Sequence, residues 1–308
     1  MAELPRLKPD PIPAIHPVPE FAVSGARAAV YERTKKGLGV PWMGVVAMAF
    51  AHYPRFYDTL WSAVEPISGT KVFRQACQSM RDVAEREAEA LEPAPLVSRL
   101  ISQGYGVQEI DDIRACNEVF SAGNMPYVLM ATLARLLLEG NPWHGGGDLG
   151  HVTSPSPAMP KPSLMEMHHA SGDLAALYGE LREVLGLPFV NTDYRAFARW
   201  PSYFALAWSD LKPRLSEAGY ATRVECVHQA AIKLVVSLPN ASGITPDALR
   251  DAATSDASLE EVLSVVRLFQ WLLPGLAVNV AFFRSQLQRQ SAGLPQTSSR
   301  LHRHLSME

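Results

Sequence analysis

The order of apolar and polar positions along this chain repeats. Ser24 to Pro66 reads SGARAAVYERTKKGLGVPWMGVVAMAFAHYPRFYDTLWSAVEP, and Ser171 to Pro213 reads SGDLAALYGELREVLGLPFVNTDYRAFARWPSYFALAWSDLKP. The two align without a gap at an offset of 147, with 15 identities in 43 positions, among them Tyr31/Tyr178, Gly39/Gly186, Pro54/Pro201 and Trp61/Trp208. Self-similarity at a fixed period marks one structural unit used twice. Cys77 pairs with Cys226 at an offset of 149, and the apolar stretch Asn117 to Leu138 has a counterpart at Val265 to Leu287.

Within each copy the spacing is helical. Gly25 to Leu38 predicts a helix with Ala29, Val30 and Leu38 near one face, ended by Gly39-Val40-Pro41. Arg74 to Leu91 predicts a charged amphipathic helix, and Ser258 to Gln290 a largely helical stretch broken near Pro274. No run alternates apolar and polar residues between hairpin signals, so the fold class expected is all-α, two tandem helical halves packed as a pseudo-dimer. The expected organisation is an extended arm over 1–20, a first repeat over 21–139, a Gly/Pro/Ser-rich linker over 140–170, a second repeat over 171–290 and a flexible tail over 291–308.

Composition narrows the classes of function. The chain has 308 residues, 47% of them hydrophobic, and a formal net charge of −3 with no basic stripe, so no nucleic-acid partner is expected. The apolar run Trp271 to Phe283 reads as too short and too interrupted to span a bilayer. The N-terminus lacks the apolar core of a secretory signal. Cys77, Cys116 and Cys226 form no CxxC pair, which speaks against a disulfide framework and for a reducing cytoplasm.

A duplicated chain contains its own control. Positions that agree between copies serve the shared fold, and a position that turns polar in one copy is a candidate for function. After the shared proline the first copy reads Trp42-Met43-Gly44-Val45-Val46 and the second Phe189-Val190-Asn191-Thr192-Asp193. Asp193 thus replaces a valine. A carboxylate in an apolar pocket gains proton affinity and can act as a general base on water. The competing reading is that Asn191, Thr192 or Asp193 caps the helix that follows. Asn117, opposite Val265 or Val266, is either an amide that orients a water or a solvent-facing residue. Trp42 is either a pocket wall whose indole N–H reaches an anion or a core residue. His168-His169 and the pair His144 and His151 lack metal-ligand spacing, and Gly145-Gly146-Gly147 lacks the context of a phosphate loop.

GLPFVNTDYRAFARWPSYFALAWSDLKP, together with GVPWMGVVAMAFAHYP in the first half, resembles the DL-2-haloacid dehalogenases, the group I family. The resemblance covers roughly residues 21–290. It implies an all-α homodimer that hydrolyses both D- and L-2-haloalkanoic acids to 2-hydroxy acids with inversion, without metal or organic cofactor. It also implies direct attack of a water activated by an aspartate, here Asp193, and held by an amide, here Asn117. The family's pocket walls carry over to Trp42, Gly44, Val45, Phe120, Asn191, Thr192 and Phe269. The substrate carboxylate is expected on backbone N–H groups near residues 42–45 or 191–193. Two other readings stay open: an alkylhydroperoxidase-like helical enzyme, whose redox members need a CxxC pair, and a non-catalytic helical binding protein.

Overall fold

The structure, a computed structural model, describes residues 4–150 and 159–288. The predicted tail over 291–308 and part of the predicted linker lie outside them. Among the described residues there are only helices and connecting segments. The first half holds α1 (Gly25–Leu38), α2 (Val45–Phe50), α3 (Pro54–Ser68), α4 (Lys71–Glu89), α5 (Val97–Ser102) and α6 (Val107–Leu138). The second half holds α7 (Gly172–Leu185), α8 (Thr192–Phe197), α9 (Pro201–Leu215), α10 (Ala218–Ser237), α11 (Pro246–Thr254) and α12 (Leu259–Gln288). Each helix of one half thus has a counterpart in the other. The bounds of α1, α2 and α3 fall on those of α7, α8 and α9 at an offset of 147.

The matching ends have matching causes. α1 and α7 stop at Gly39 and Gly186, which take φ of 69° and 61°. That left-handed conformation costs glycine nothing and lets the next two N–H groups close the last turn. α3 and α9 begin at Pro54 and Pro201, where a missing N–H costs no helical bond. In α1 the buried stripe is Tyr31, Thr34 and Leu38, not the predicted Ala29, Val30 and Leu38. Ala29 faces solvent, because the face is set by what lies beneath it: Thr34 shares a buried hydrogen bond with Tyr57 of α3 at 2.9 Å.

The duplication reaches further than the identities show. Val18 donates its N–H to the Met48 carbonyl at 3.0 Å, and Met165 donates to the Arg195 carbonyl at 2.9 Å. Tyr31 donates its hydroxyl to Val18, and Tyr178 donates to Met165, both at 2.8 Å. Short 3-10 turns follow at Glu20–Ala22 and Met167–His169. The ends of the predicted arm and linker are therefore braces for α2 and α8. The start of the linker is also tied down, with Trp143 buried and its indole N–H on the Leu238 carbonyl at 2.7 Å.

The halves interlock. α6 and α12 make the most extensive helix pair, flanked by α4 and α10. The N-terminus of α3 is met by Asp256, which accepts from the Phe56 N–H at 2.8 Å. In the other half the Tyr105 hydroxyl accepts from the Tyr203 N–H at 3.2 Å, at the start of α9. α12 differs from expectation in running unbroken through Pro274. It is long and apolar enough to cross a bilayer, but 89% of its apolar window is buried inside the protein. α6 likewise passes through Pro126. Dense packing along both helices offsets the lost i→i−4 bond.

Candidate active site

The segments before α2 and α8 meet across α6 and α12 and enclose a cavity of about 40 Å3. Its walls include Trp42, Gly44, Val45, Val46, Asn191, Thr192 and Asp193 from the two matched segments. α6 contributes Asn124 and Tyr127, and α12 contributes Phe269, Leu272, Leu273 and Leu276. Since a water takes up about 30 Å3 in the liquid, such a space has room for about one water molecule. Among the described residues no lysine, arginine or cysteine lines it.

Asp193 is 3% exposed. Its Oδ1 accepts from Asn124 Nδ2 at 2.6 Å. Burial raises the carboxyl's pKa to about 6; the Asn124 bond, the residue's own N–H and the charge of Arg195 pull it back down. Desolvation therefore dominates, and the group sits where it can exchange a proton near neutral pH. The capping reading accounts for Asp193 at most, whose carboxylate accepts from its own N–H in the first turn of α8. Asn191 occupies the N-cap position of α8, yet its side chain makes no capping hydrogen bond.

Tyr127 shapes the opposite wall. Its hydroxyl accepts the Gly44 N–H at 2.8 Å and donates to the Trp42 carbonyl at 2.7 Å. A Cβ at Gly44 would come within 2.8 Å of the Tyr127 ring, so glycine is what permits this approach. The Trp42 ring lies against Gly123, where an added Cβ would meet it at 2.4 Å, and against Phe120 with ring centroids 5.1 Å apart. Gly44→Ala is expected to cost about 1–3 kcal/mol through overpacking and to weaken substrate binding. Urea melts and KM together check it.

The structure brings together Trp42, Gly44, Val45, Asn191, Thr192, Asp193 and Phe269. It does not bring Asn117 or Phe120 to the cavity surface. Phe120 stands behind Trp42 and Phe197 as backing. Asn117 is fully buried, but its Nδ2 donates to the Ile113 carbonyl and the Tyr203 hydroxyl, both at 2.9 Å. The amide on the carboxylate belongs to Asn124, seven residues further along α6. Seven residues are close to two helical turns, so both amides point in nearly the same direction about 10 Å apart along the axis. The amide that bonds the carboxylate thus lies one heptad along α6 from the expected Asn117. The internal control could have flagged Asn124. Aligning Pro126 with Pro274 sets an offset of 148 and pairs Asn124 with Leu272. Of the backbone donors expected for a carboxylate, the N–H groups of Met43 and Gly44 are already taken, by Glu20 at 2.9 Å and Tyr127 at 2.8 Å. Among the described residues no cluster of metal-ligand type occurs.

No family model matches the chain. It is 43% identical over 249 residues to an (R)-2-haloacid dehalogenase of Rhizobium sp. (strain NHG3), covering 80% of this chain and 97% of that protein. It is 35% identical over 278 residues to an (R)-2-haloacid dehalogenase of Pseudomonas putida, covering 88% and 92%. A configuration-inverting 2-haloacid dehalogenase of Alcaligenes xylosoxydans xylosoxydans is 24% identical over 284 residues, covering 87% and 92%. Among solved structures, a D-2-haloacid dehalogenase in complex with L-LA superposes with a TM-score of 0.85 at 34% identity, over 93% of this chain and all of that one. The chain belongs to the 2-haloacid dehalogenases, hydrolases that act on carbon–halide bonds with inversion of configuration.

Proposed function

We propose that this enzyme hydrolyses (R)-2-haloalkanoic acids by direct attack of a water that Asp193 deprotonates. The observation that carries the reading is the buried Asp193–Asn124 pair on the wall of a small, mostly apolar cavity. Asn124 holds the carboxylate by one Nδ2 proton and leaves its Oδ1 to accept from the attacking water. As the water oxygen bonds to C2, its proton passes to Asp193 and halide leaves on the opposite side. Asp193 then returns the proton to solvent. Apolar walls exclude competing water and strengthen each polar contact. Phe189 and Val45, the partly exposed lining residues, turn aside to admit the acid.

The resemblance implied use of both enantiomers. The relatives at 43% and 35% identity are named for the (R) form, and unequal cavity walls support a preference for one form. The pseudo-equivalent walls differ in size and polarity, Gly44 against Asn191 and Val45 against Thr192, so exchanging the substituents at C2 is not neutral. The two interlocked halves are read as a pseudo-dimer, the whole protein as a cytoplasmic homodimer, and no metal or organic cofactor enters this scheme.

Inversion alone does not separate direct attack from an ester on Asp193, since either route inverts C2 once. A single turnover in heavy-oxygen water does. Label is expected in the 2-hydroxy acid and not in the protein; label in the Asp193 carboxylate would establish the ester route. Chloride release from separate D- and L-2-chloropropionate checks the stereochemical choice, with the D form expected to be turned over and the L form refused.

A further inference from the structure

The catalytic cavity presents a charge problem. A 2-haloacid is an anion, Asp193 must be ionised to act as base, and among the described residues no cation lines the walls. The second half carries a short polar chain where the first half is apolar. At the offset of 147, Glu166, Thr192, Asp193 and Arg195 stand opposite Pro19, Val45, Val46 and Met48. These polar residues are connected. Arg195 reaches Glu166 Oε2 through one terminal nitrogen at 2.5 Å, and its other terminal nitrogen donates to Thr192 Oγ1 at 3.3 Å. Glu166 lies beside Met165, whose N–H holds the Arg195 carbonyl at 2.9 Å, so the brace is built from both backbone and side chain. Thr192 lines the cavity next to Asp193.

A hydroxyl has one proton and two lone pairs. With a lone pair engaged by the guanidinium, the Thr192 proton is directed away from Arg195. Among the described residues no protein group accepts it. We propose that Arg195, braced by Glu166, fixes the Thr192 hydroxyl so that its proton points into the cavity and is donated to the carboxylate of the bound 2-haloacid. Thr192 contacts the substrate; Arg195 is a positioning residue that acts through it. The relay brings positive potential to the cavity without exposing a guanidinium there, where it would form an ion pair with Asp193 and quench the base. Arg195 also favours the ionised form of Asp193 through its charge, which provides a second, separable readout.

This inference rests on the dehalogenase reading, and the test keeps the two apart. Halide release by the wild-type enzyme is measured first; none from either enantiomer of 2-chloropropionate would overturn the function and this role with it. Four variants follow, with melting curves to confirm folding: Thr192→Val, Thr192→Ser, Arg195→Met and the double variant Thr192→Val/Arg195→Met. Val and Met are the residues the first half carries at these positions. Thr192→Val is expected to raise KM about tenfold with little change in kcat, the loss of one charge-assisted hydrogen bond. Thr192→Ser is expected to restore KM to within about threefold of wild type. Arg195→Met is expected to raise KM by a similar factor and to move the acid limb of the kcat/KM profile to higher pH. In the double variant the two KM effects are expected not to multiply, because both remove the same contact, while the pH shift persists. Where Arg195→Met does not fold, Arg195→Gln takes its place. A wild-type KM in folded Thr192→Val, or KM effects that multiply fully in the double variant, would overturn the relay.

Discussion

Asp193→Asn is expected to lower kcat/KM for 2-chloropropionate by about 10²–10⁴-fold, the range that general-base catalysis supplies, and to make the folded enzyme more stable at high pH. Both effects come from the same desolvation. The carboxyl's pKa rises from 3.8 to about 6 on folding, so the native state binds this proton more tightly than the unfolded chain does. Stability from this group is therefore greatest below about pH 4, where both states are protonated. It falls as pH rises from about 4 to 6, and the penalty is complete above that. At 1.36 kcal/mol per pH unit, about two units correspond to about 3 kcal/mol. Asparagine keeps the shape, and its Oδ1 still accepts from Asn124, but the charge is gone. The variant should melt above wild type at pH 8 and together with it at pH 4. Equal melting temperatures at pH 8 would show that the carboxylate is not desolvated as the structure has it. In the wild type, kcat/KM should rise with pH through about 6 as the base form is populated.

The second large effect is expected at Asn124, and it distinguishes that residue from Asn117. Asn124→Leu places on α6 the residue that α12 carries at Leu272. It removes the bond that holds Asp193 Oδ1 and the acceptor for the attacking water. kcat/KM should fall by about 10²-fold, and the acid limb should move to higher pH, because the lost bond favoured the ionised carboxylate. Asn117→Leu should behave differently. It leaves the Tyr203 hydroxyl without its buried partner, which costs about 1–3 kcal/mol of stability, while kcat/KM per folded molecule stays near wild type. Rates normalised to folded protein, measured across pH for both variants, decide between the two amides. A large rate loss confined to Asn117→Leu would restore Asn117 to the role the family resemblance implied.

The bounds of α1, and through the repeat those of α7, were legible because their causes are local. Gly39 and Gly186 supply left-handed ends, Pro54 and Pro201 occupy first turns, and the same pattern appears twice at one offset. Asp193 was legible for a related reason: a carboxylate where the sister copy has Val46 is a difference readable from the chain alone. The braces at Val18 and Met165 were not, since a backbone hydrogen bond leaves no mark on residue type.

What the sequence determined by itself was the helical class, the duplication and the polar triplet at 191–193, all properties of neighbours along the chain or of one copy against the other. Tertiary structure decided which amide meets the carboxylate. Asn117 and Asn124 lie seven residues apart on one face of α6, each opposite an apolar residue in the sister helix. Helical periodicity treats them alike, because seven residues return nearly to the starting direction. The packing of α6 against α12, with Trp42 on Gly123 and Phe120 against Phe197, fixes where along α6 the two halves meet, and at that height Asn124, not Asn117, bonds Asp193.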